Sequence, residues 1–119
     1  MKDQFFKYIH ELQDQITSKL EEVDGKAKFK EDLWDRSEGG GGRTRVIENG
    51  NVFEKGGVNI SGVHGKLPDT MQKYFGVQDA DFFACGLSLV LHPKNPMVPT
   101  VHANWRYFEM YDKDGNIVD

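Results

Sequence analysis

Five side chains able to donate hydrogen bonds or exchange protons fall close together late in the 119-residue chain: Ser88, His92, His102, Asn104 and Arg106. A guanidinium grips a carboxylate through two parallel N–H···O bonds. An imidazole exchanges a proton near neutrality. All five lie in DFFACGLSLVLHPKNPMVPTVHANWRYFE, from Asp81 to Glu109. This stretch reads as two β-strands, Asp81–His92 and Thr100–Tyr111, joined by a stiff connection. Pro93, Pro96 and Pro99 fix three φ angles and remove three N–H donors, so the connection is neither helix nor central strand.

Alternate residues of a strand share a face. Phe83, Cys85, Leu87, Leu89 and Leu91 form an apolar core face, while Ala84, Gly86, Ser88 and His92 look the other way. On the second strand His102, Asn104, Arg106 and Phe108 point one way, and Val101, Ala103, Trp105 and Tyr107 the other. Antiparallel pairing in one register sets Ser88 opposite Asn104 and Gly86 opposite Arg106, and opposed residues lie on one face. The expected site is a shelf floored by Ala84, Gly86 and Ser88 and ringed by the five donors. Such a surface suits a broad, flat, anionic ligand.

Composition limits what else the chain does. Its length predicts one domain able to bury a core, and 38% hydrophobic with 12% aromatic residues is globular, not disordered. A net charge of −4 argues against a general nucleic-acid binder. The single cysteine, Cys85, forms no internal disulfide, fits a reducing compartment and reads as a small core residue. The N-terminus turns amphipathic and charged at once, unlike a signal peptide. The longest uncharged apolar run, Phe82 to Leu91, is too short to span a bilayer. A soluble, cytoplasmic protein is expected.

The remaining elements must position the shelf. Phe5, Ile9, Leu12, Ile16 and Leu20 recur at helical spacing and predict an amphipathic helix from about Asp3 to Val23, with Asp3 as N-cap and Gly25 as stop. Lys26 to Leu33 alternates as a half-wet strand. Trp34-Asp35-Arg36 leads into Gly39–Gly42, which is either a linker or tight backbone crossing, as composition favours, or a close approach to an anion. No Gly-Lys-Ser/Thr follows, which argues against a nucleotide P-loop. Asn49-Gly50 marks a hairpin between Val46-Ile47 and Val52-Phe53. Gly56-Gly57 is expected to break the ladder or bulge, Val58 to Ser61 to resume it, and Gly62 to Gly65 to end it. Pro68 to Phe75 predicts a short helix with Met71, Tyr74 and Phe75 on its apolar side. His10 reads as solvated and His64 as a turn residue. Asp112 to Asn116 is a further turn, after which Ile117-Val118-Asp119 begins a returning strand. An edge left without its partner strand predicts that the chain is the N-terminal part, 1–119, of a longer single-domain protein. Alone, it is expected to self-associate and to be inactive.

The same central stretch resembles the oxygen-dependent coproporphyrinogen III oxidase family. GLSLVLHPKNPMVPTVHANWRYFE carries its long Gly-Xaa-Ser run into His-Pro-Xaa-Asn-Pro and then Pro-Thr-Xaa-His-Xaa-Asn-Xaa-Arg-Tyr-Phe. Asp32–Arg36, the Gly39–Gly42 run with Arg45, Val52–Lys55 and Val58–Leu67 follow in the family's order. Gly57 stands where alanine is frequent and Trp105 where another aromatic is common. Family members run to roughly twice this length or more, and an Asp-Leu-Thr-Pro segment with further site residues lies outside this sequence.

The resemblance implies an α+β fold, an antiparallel β-sheet flanked by helices. It implies oxidative decarboxylation of two propionates of coproporphyrinogen III to vinyl groups, giving protoporphyrinogen IX of heme biosynthesis. Molecular oxygen is the implied co-substrate, with no organic cofactor, and a homodimer is implied, with Val46 to Lys55 involved in its formation. Carried over by position, Ser88, Asn104, Trp105 and Arg106 bind substrate and His102 donates a proton. His92 and His102 match positions assigned to a divalent metal in some bacterial members. Two readings from other classes stand beside this one: a non-catalytic module binding an anion or tetrapyrrole, and a cupin-like metal enzyme.

Overall fold

A computed structural model describes residues 1–117. Helix α1 (Lys2–Asp24) precedes a five-stranded sheet of β1 (Lys30–Asp35), β2 (Gly40–Glu48), β3 (Phe53–Lys66), β4 (Asp81–Pro93) and β5 (Val101–Tyr111), with the short helix α2 (Asp69–Phe75) between β3 and β4. The strands pair antiparallel in chain order, β1-β2-β3-β4-β5. Each connection therefore joins neighbours, and the α+β class expected from the sequence is observed.

Alternation assigns one face to the core. Val58 and Ile60 from β3 and Cys85, Leu87, Leu89 and Leu91 from β4 are buried with Ile47 and Phe53 beneath Ile9 of α1. Phe5, Phe6, Leu12, Ile16 and Leu20 complete the contact. The innermost line of the helix also carries polar residues, because Gln13, Thr17 and Asp24 are buried. Gln13 donates its amide to Arg43 O (2.9 Å) and Val58 O (2.8 Å) and accepts from Arg43 Nε. Arg45 donates to Thr17 Oγ1 (3.0 Å), and both arginines reach Asp14 and Glu31. The helix is thus clasped to β2 by hydrogen bonds and ion pairs, to β3 by a Gln13 hydrogen bond and apolar packing, and to β4 by apolar packing.

Asp24 ends the helix and holds the β2–β3 turn. Its carboxylate, 3% exposed, accepts from the backbone N–H groups of Lys26, Ala27, Asn51, Val52 and Phe53. Burial pushes this carboxyl up, but the N–H donors of Ala27, Phe53, Val52 and Asn51 outweigh it and hold it far below the usual carboxylate range. Asn49, at φ 55°, supplies the turn's positive φ. Gly50 serves another purpose, since a Cβ there would meet Asp24 Oδ2 at 2.1 Å.

At the far end of the sheet Glu109, 7% exposed, accepts from Tyr107 Oη (2.6 Å) and Tyr111 Oη (2.8 Å). These hydrogen bonds hold Glu109 below its ordinary range, against the opposing effect of burial. Burial, and then the bond to Glu109, push the Tyr111 phenol up to about 12.

Several expectations need correction. Asp3 lies in the first turn instead of capping it, and Met1 holds the cap position. The first strand starts at Lys30, because Phe29 and Ala27 pack on the core cluster while Asp24 and Glu21 take the backbone N–H groups of residues 26, 27 and 29. Gly56-Gly57 does not break β3. The strand runs unbroken through Gly62–Gly65 to Lys66, so His64 is a strand residue, and the register shift against β4 falls between Phe53 and Lys55. Pro93 closes β4 opposite Phe53. Helix α2 forms as expected but buries none of its residues, and Tyr74 is 84% exposed. His10 is half-buried, with Nδ1 2.8 Å from Phe6 O. Asp112 Oδ1 accepts from Asp114 and Asn116 N–H in the last turn, and Ile117 bridges back to Tyr111. The rest of the expected returning strand, 118–119, lies outside the described residues.

Asp24→Ala orphans buried donors and is expected to cost roughly 2–4 kcal/mol, the scale of leaving such groups unpaired, measured by urea denaturation. Because the folded carboxyl is held low, the stability it contributes is complete above the ordinary carboxylate pKa of about 4 and lost as pH falls below it. The Asp24→Ala protein is therefore expected to show a flatter acid limb. The tyrosines titrate with the opposite sign. Stability from the neutral Tyr111 phenol is complete below about pH 10, the ordinary tyrosine value, and is lost as pH rises towards about 12. Spectrophotometric titration of Glu109→Gln should show Tyr111 ionising earlier.

Candidate functional site

The face away from α1 carries the candidate residues other than Trp105, and its residues form rows across the sheet. One row reads Asp32, Thr44, Asn59, Ser88, Asn104, each paired with the next. The adjacent row reads Trp34, Gly42, Ser61, Gly86, Arg106. A third reads Lys30, Val46, Gly57, Val90, His102. Ser88 pairs with Asn104 and Gly86 with Arg106, the register the alternation predicted. The centre of the face is small and polar, and it is walled by longer side chains at either side.

Exposure fits an open shelf. Asn59, His92, His102, Asn104 and Arg106 are exposed, Ser61 and Ser88 are half-buried, and Gly86 lies flush within the sheet. Arg106 has no ion-pair partner among the described residues, whereas Arg43 and Arg45 on the opposite face are paired with Asp14 and Glu31. A guanidinium left with its donors free beside a flat polar floor is ready to take a carboxylate. A larger cleft lies elsewhere. With a volume of about 640 Å³, between Lys2, His64, Lys66 and Tyr111, it sits at the N-terminal end of α1. It contains none of the five donors.

Trp105 stands apart from the other candidate residues. It pairs with Leu87 on the helix side and is 37% exposed there. The structure brings Ser88, Asn104 and Arg106 together and leaves the Trp105 side chain on the other surface. His102 lies opposite Val90, and His92 follows on β4 as its diagonal neighbour, with Nδ1 3.4 Å from Thr100 Oγ1. No group of three or more His, Cys, Asp or Glu able to hold a metal is present among the described residues. Two imidazoles fall short of the usual three or four protein ligands, so the residues present do not by themselves fit a metal.

Four residues of this face were not picked out from the sequence: Trp34, Thr44, Asn59 and Ser61. The alternation Val58-Asn59-Ile60-Ser61 already turned Asn59 and Ser61 away from the core. Their adjacency to Ser88 and Gly86 depends on β3 pairing with β4 across the intervening α2, which periodicity alone does not specify. The glycine run resolves as close backbone approach within a strand. A Cβ on Gly40 would meet Gly62 O at 2.1 Å, and one on Gly42 would meet both Ile60 O and the Trp34 ring at 2.3 Å.

The sequence model of the family described as coproporphyrinogen III oxidase matches residues 4–118. Among curated proteins, the oxygen-dependent coproporphyrinogen-III oxidase of Prochlorococcus marinus strain NATL1A is 52% identical over 105 residues, which is 87% of this chain and 30% of that protein. The protein of the same name from strain MIT 9515 is 56% identical over 100 residues, covering 82% of this chain and 29% of its own length. That from strain AS9601 is 57% identical over the same shares. The chain thus spans about three-tenths of the length of the curated relatives it matches. No helix among the described residues is long and apolar enough to cross a membrane. With nearly every residue inside the family match, the chain belongs to the coproporphyrinogen III oxidase family.

Proposed function

We propose that this chain supplies the substrate shelf of an oxygen-dependent coproporphyrinogen III oxidase. The observation that carries the reading is the unpaired Arg106 set beside the small floor of Gly86, Ser88 and Ser61. A propionate of coproporphyrinogen III pairs with the Arg106 guanidinium, and Ser88, Asn59 and Asn104 donate to the substrate's remaining polar atoms. The flat centre leaves room for a macrocycle laid against the sheet. Each decarboxylation releases CO2, a proton and two electrons as the propionate becomes a vinyl group, and molecular oxygen takes the electrons.

His102 lies two rows along from Arg106, with the Asn104 row between them, and in this reading it passes a proton at the reacting side chain. Its exposure leaves it free to meet a ligand seated on the shelf. His92 lies diagonally beside it on β4. The wider reading includes a cytoplasmic location and a homodimer to which the Val46–Lys55 hairpin contributes. The tie from Asp24 supports that hairpin role by holding its turn in one conformation.

Anaerobic titration of coproporphyrinogen III onto this chain tests the shelf, and saturable binding is expected. Vinyl formation and oxygen uptake by the full-length family protein test the reaction. Arg106→Lys is expected to weaken substrate binding by about 1–3 kcal/mol, the range for charge-assisted hydrogen bonds, because an ammonium does not reproduce a bidentate pair. Unchanged affinity would make Arg106 structural. In the full-length protein, His102→Gln is expected to retain binding while turnover falls by about 10²–10⁴, the usual share of general acid–base catalysis.

A further inference from the structure

Trp34 belongs to the same row as Arg106, and the two side chains lean inward from opposite edges. The Trp34 ring lies over Gly42, where a Cβ would come within 2.3 Å of its Cζ2 and 2.6 Å of its Cε2. Its indole N–H donates to Thr44 Oγ1 at 3.1 Å, which fixes the ring's direction on the sheet. On the other side Arg106 Cγ lies 3.4 Å from where a Gly86 Cβ would stand. Gly42 and Gly86 are two strands apart with Ser61 between them. Strand spacing makes that separation about 10 Å.

We propose that Trp34 is a binding platform for one pyrrole ring of the ligand, with Arg106 holding a carboxylate on the far side of Ser61. This rests on the shelf reading above and adds a contact that the polar residues do not supply. An aromatic face held in place by a hydrogen bond and backed by glycine receives another electron-rich ring in an offset or edge-on arrangement. The guanidinium opposite takes charge instead of π-surface. An arene and a cation about 10 Å apart over a hydroxyl floor select a ligand that is flat and ring-bearing at one end and carboxylated at the other. A simple dicarboxylate meets only half of that pair. Gly42 follows from the same arrangement, since any side chain there would displace the ring.

The chain has two tryptophans, Trp34 and Trp105, on opposite faces of the sheet. This allows a direct test. The colourless coproporphyrinogen III is titrated under argon onto Trp105→Phe, in which Trp34 is the emitter, and onto Trp34→Phe, in which Trp105 is. Calorimetry gives the affinity in parallel. Quenching is expected for Trp34 and not for Trp105. Trp34→Leu should weaken binding about 2- to 10-fold, the scale of an aromatic pair, and Trp34→Phe should recover most of that loss. Should Trp34→Leu lose its circular dichroism, the quenching and the Phe variant decide the matter. Unchanged affinity in Trp34→Leu with no quenching of Trp34 overturns the platform and leaves the shelf standing. Quenching of both tryptophans alike also overturns it. Absence of binding to the unsubstituted chain removes the shelf, and the platform with it.

Discussion

Side-chain parity is the constraint on which this structure depends. Burying Val58, Ile60, Leu87 and Leu89 under one helix obliges Asn59, Ser61, Gly86 and Ser88 to face the other way. A slip of one residue would carry every core side chain into solvent and every shelf residue under the helix. The apolar packing of α1 therefore sets the chemistry of the surface it does not touch. Core and site are two readings of the same alternation.

The polar contacts of α1 act on that parity from the flank where apolar packing is thin. Strand β2 begins with glycines that bring no side chain to the core, so little hydrophobic burial there resists a shift. Gln13 bonds directly to the carbonyls of Arg43 and Val58, and the two arginines hold Asp14 and Glu31 around the same strand. Thr44 sits between those arginines and faces the shelf, where it steadies Trp34. One strand thus carries ion pairs on one side and the mount of an aromatic ring on the other. On β5 the Tyr107–Glu109–Tyr111 contacts alternate in the same way with Arg106, Phe108 and Met110.

Much of this was legible in the residues. The β4–β5 pair, its register and the common face of Ser88, Asn104 and Arg106 follow from alternation together with the short proline-bound connection. Helix α1 followed from its apolar spacing, but its innermost line did not. Gln13 and Thr17 look like solvent residues until their partners on β2 are known, and those partners lie about thirty positions away in sequence. The glycines misled for a related reason. Gly56 and Gly57 suggest a break by propensity, yet Leu91 and Ile47 close over Gly56 and keep the strand continuous. Cross-strand contact, not local preference, decides both cases.

The helix that organises the sheet is made before the strands it covers. Ile9 packs in one cluster with Ile47 of β2, Val58 and Ile60 of β3 and Leu87 and Leu89 of β4, so the apolar line of α1 is fully covered only once β4 is complete at Pro93. From Asp24 to Pro93 is 69 residues of chain. At ribosomal rates of about 5–20 residues per second, that is a delay of roughly 3–14 s. Most of a protein helix's stability comes from the tertiary packing of its amphipathic face, and that packing is missing over this interval. During synthesis α1 is therefore a fluctuating amphipathic segment, and the charged residues on its outer side are its main protection from other nascent chains.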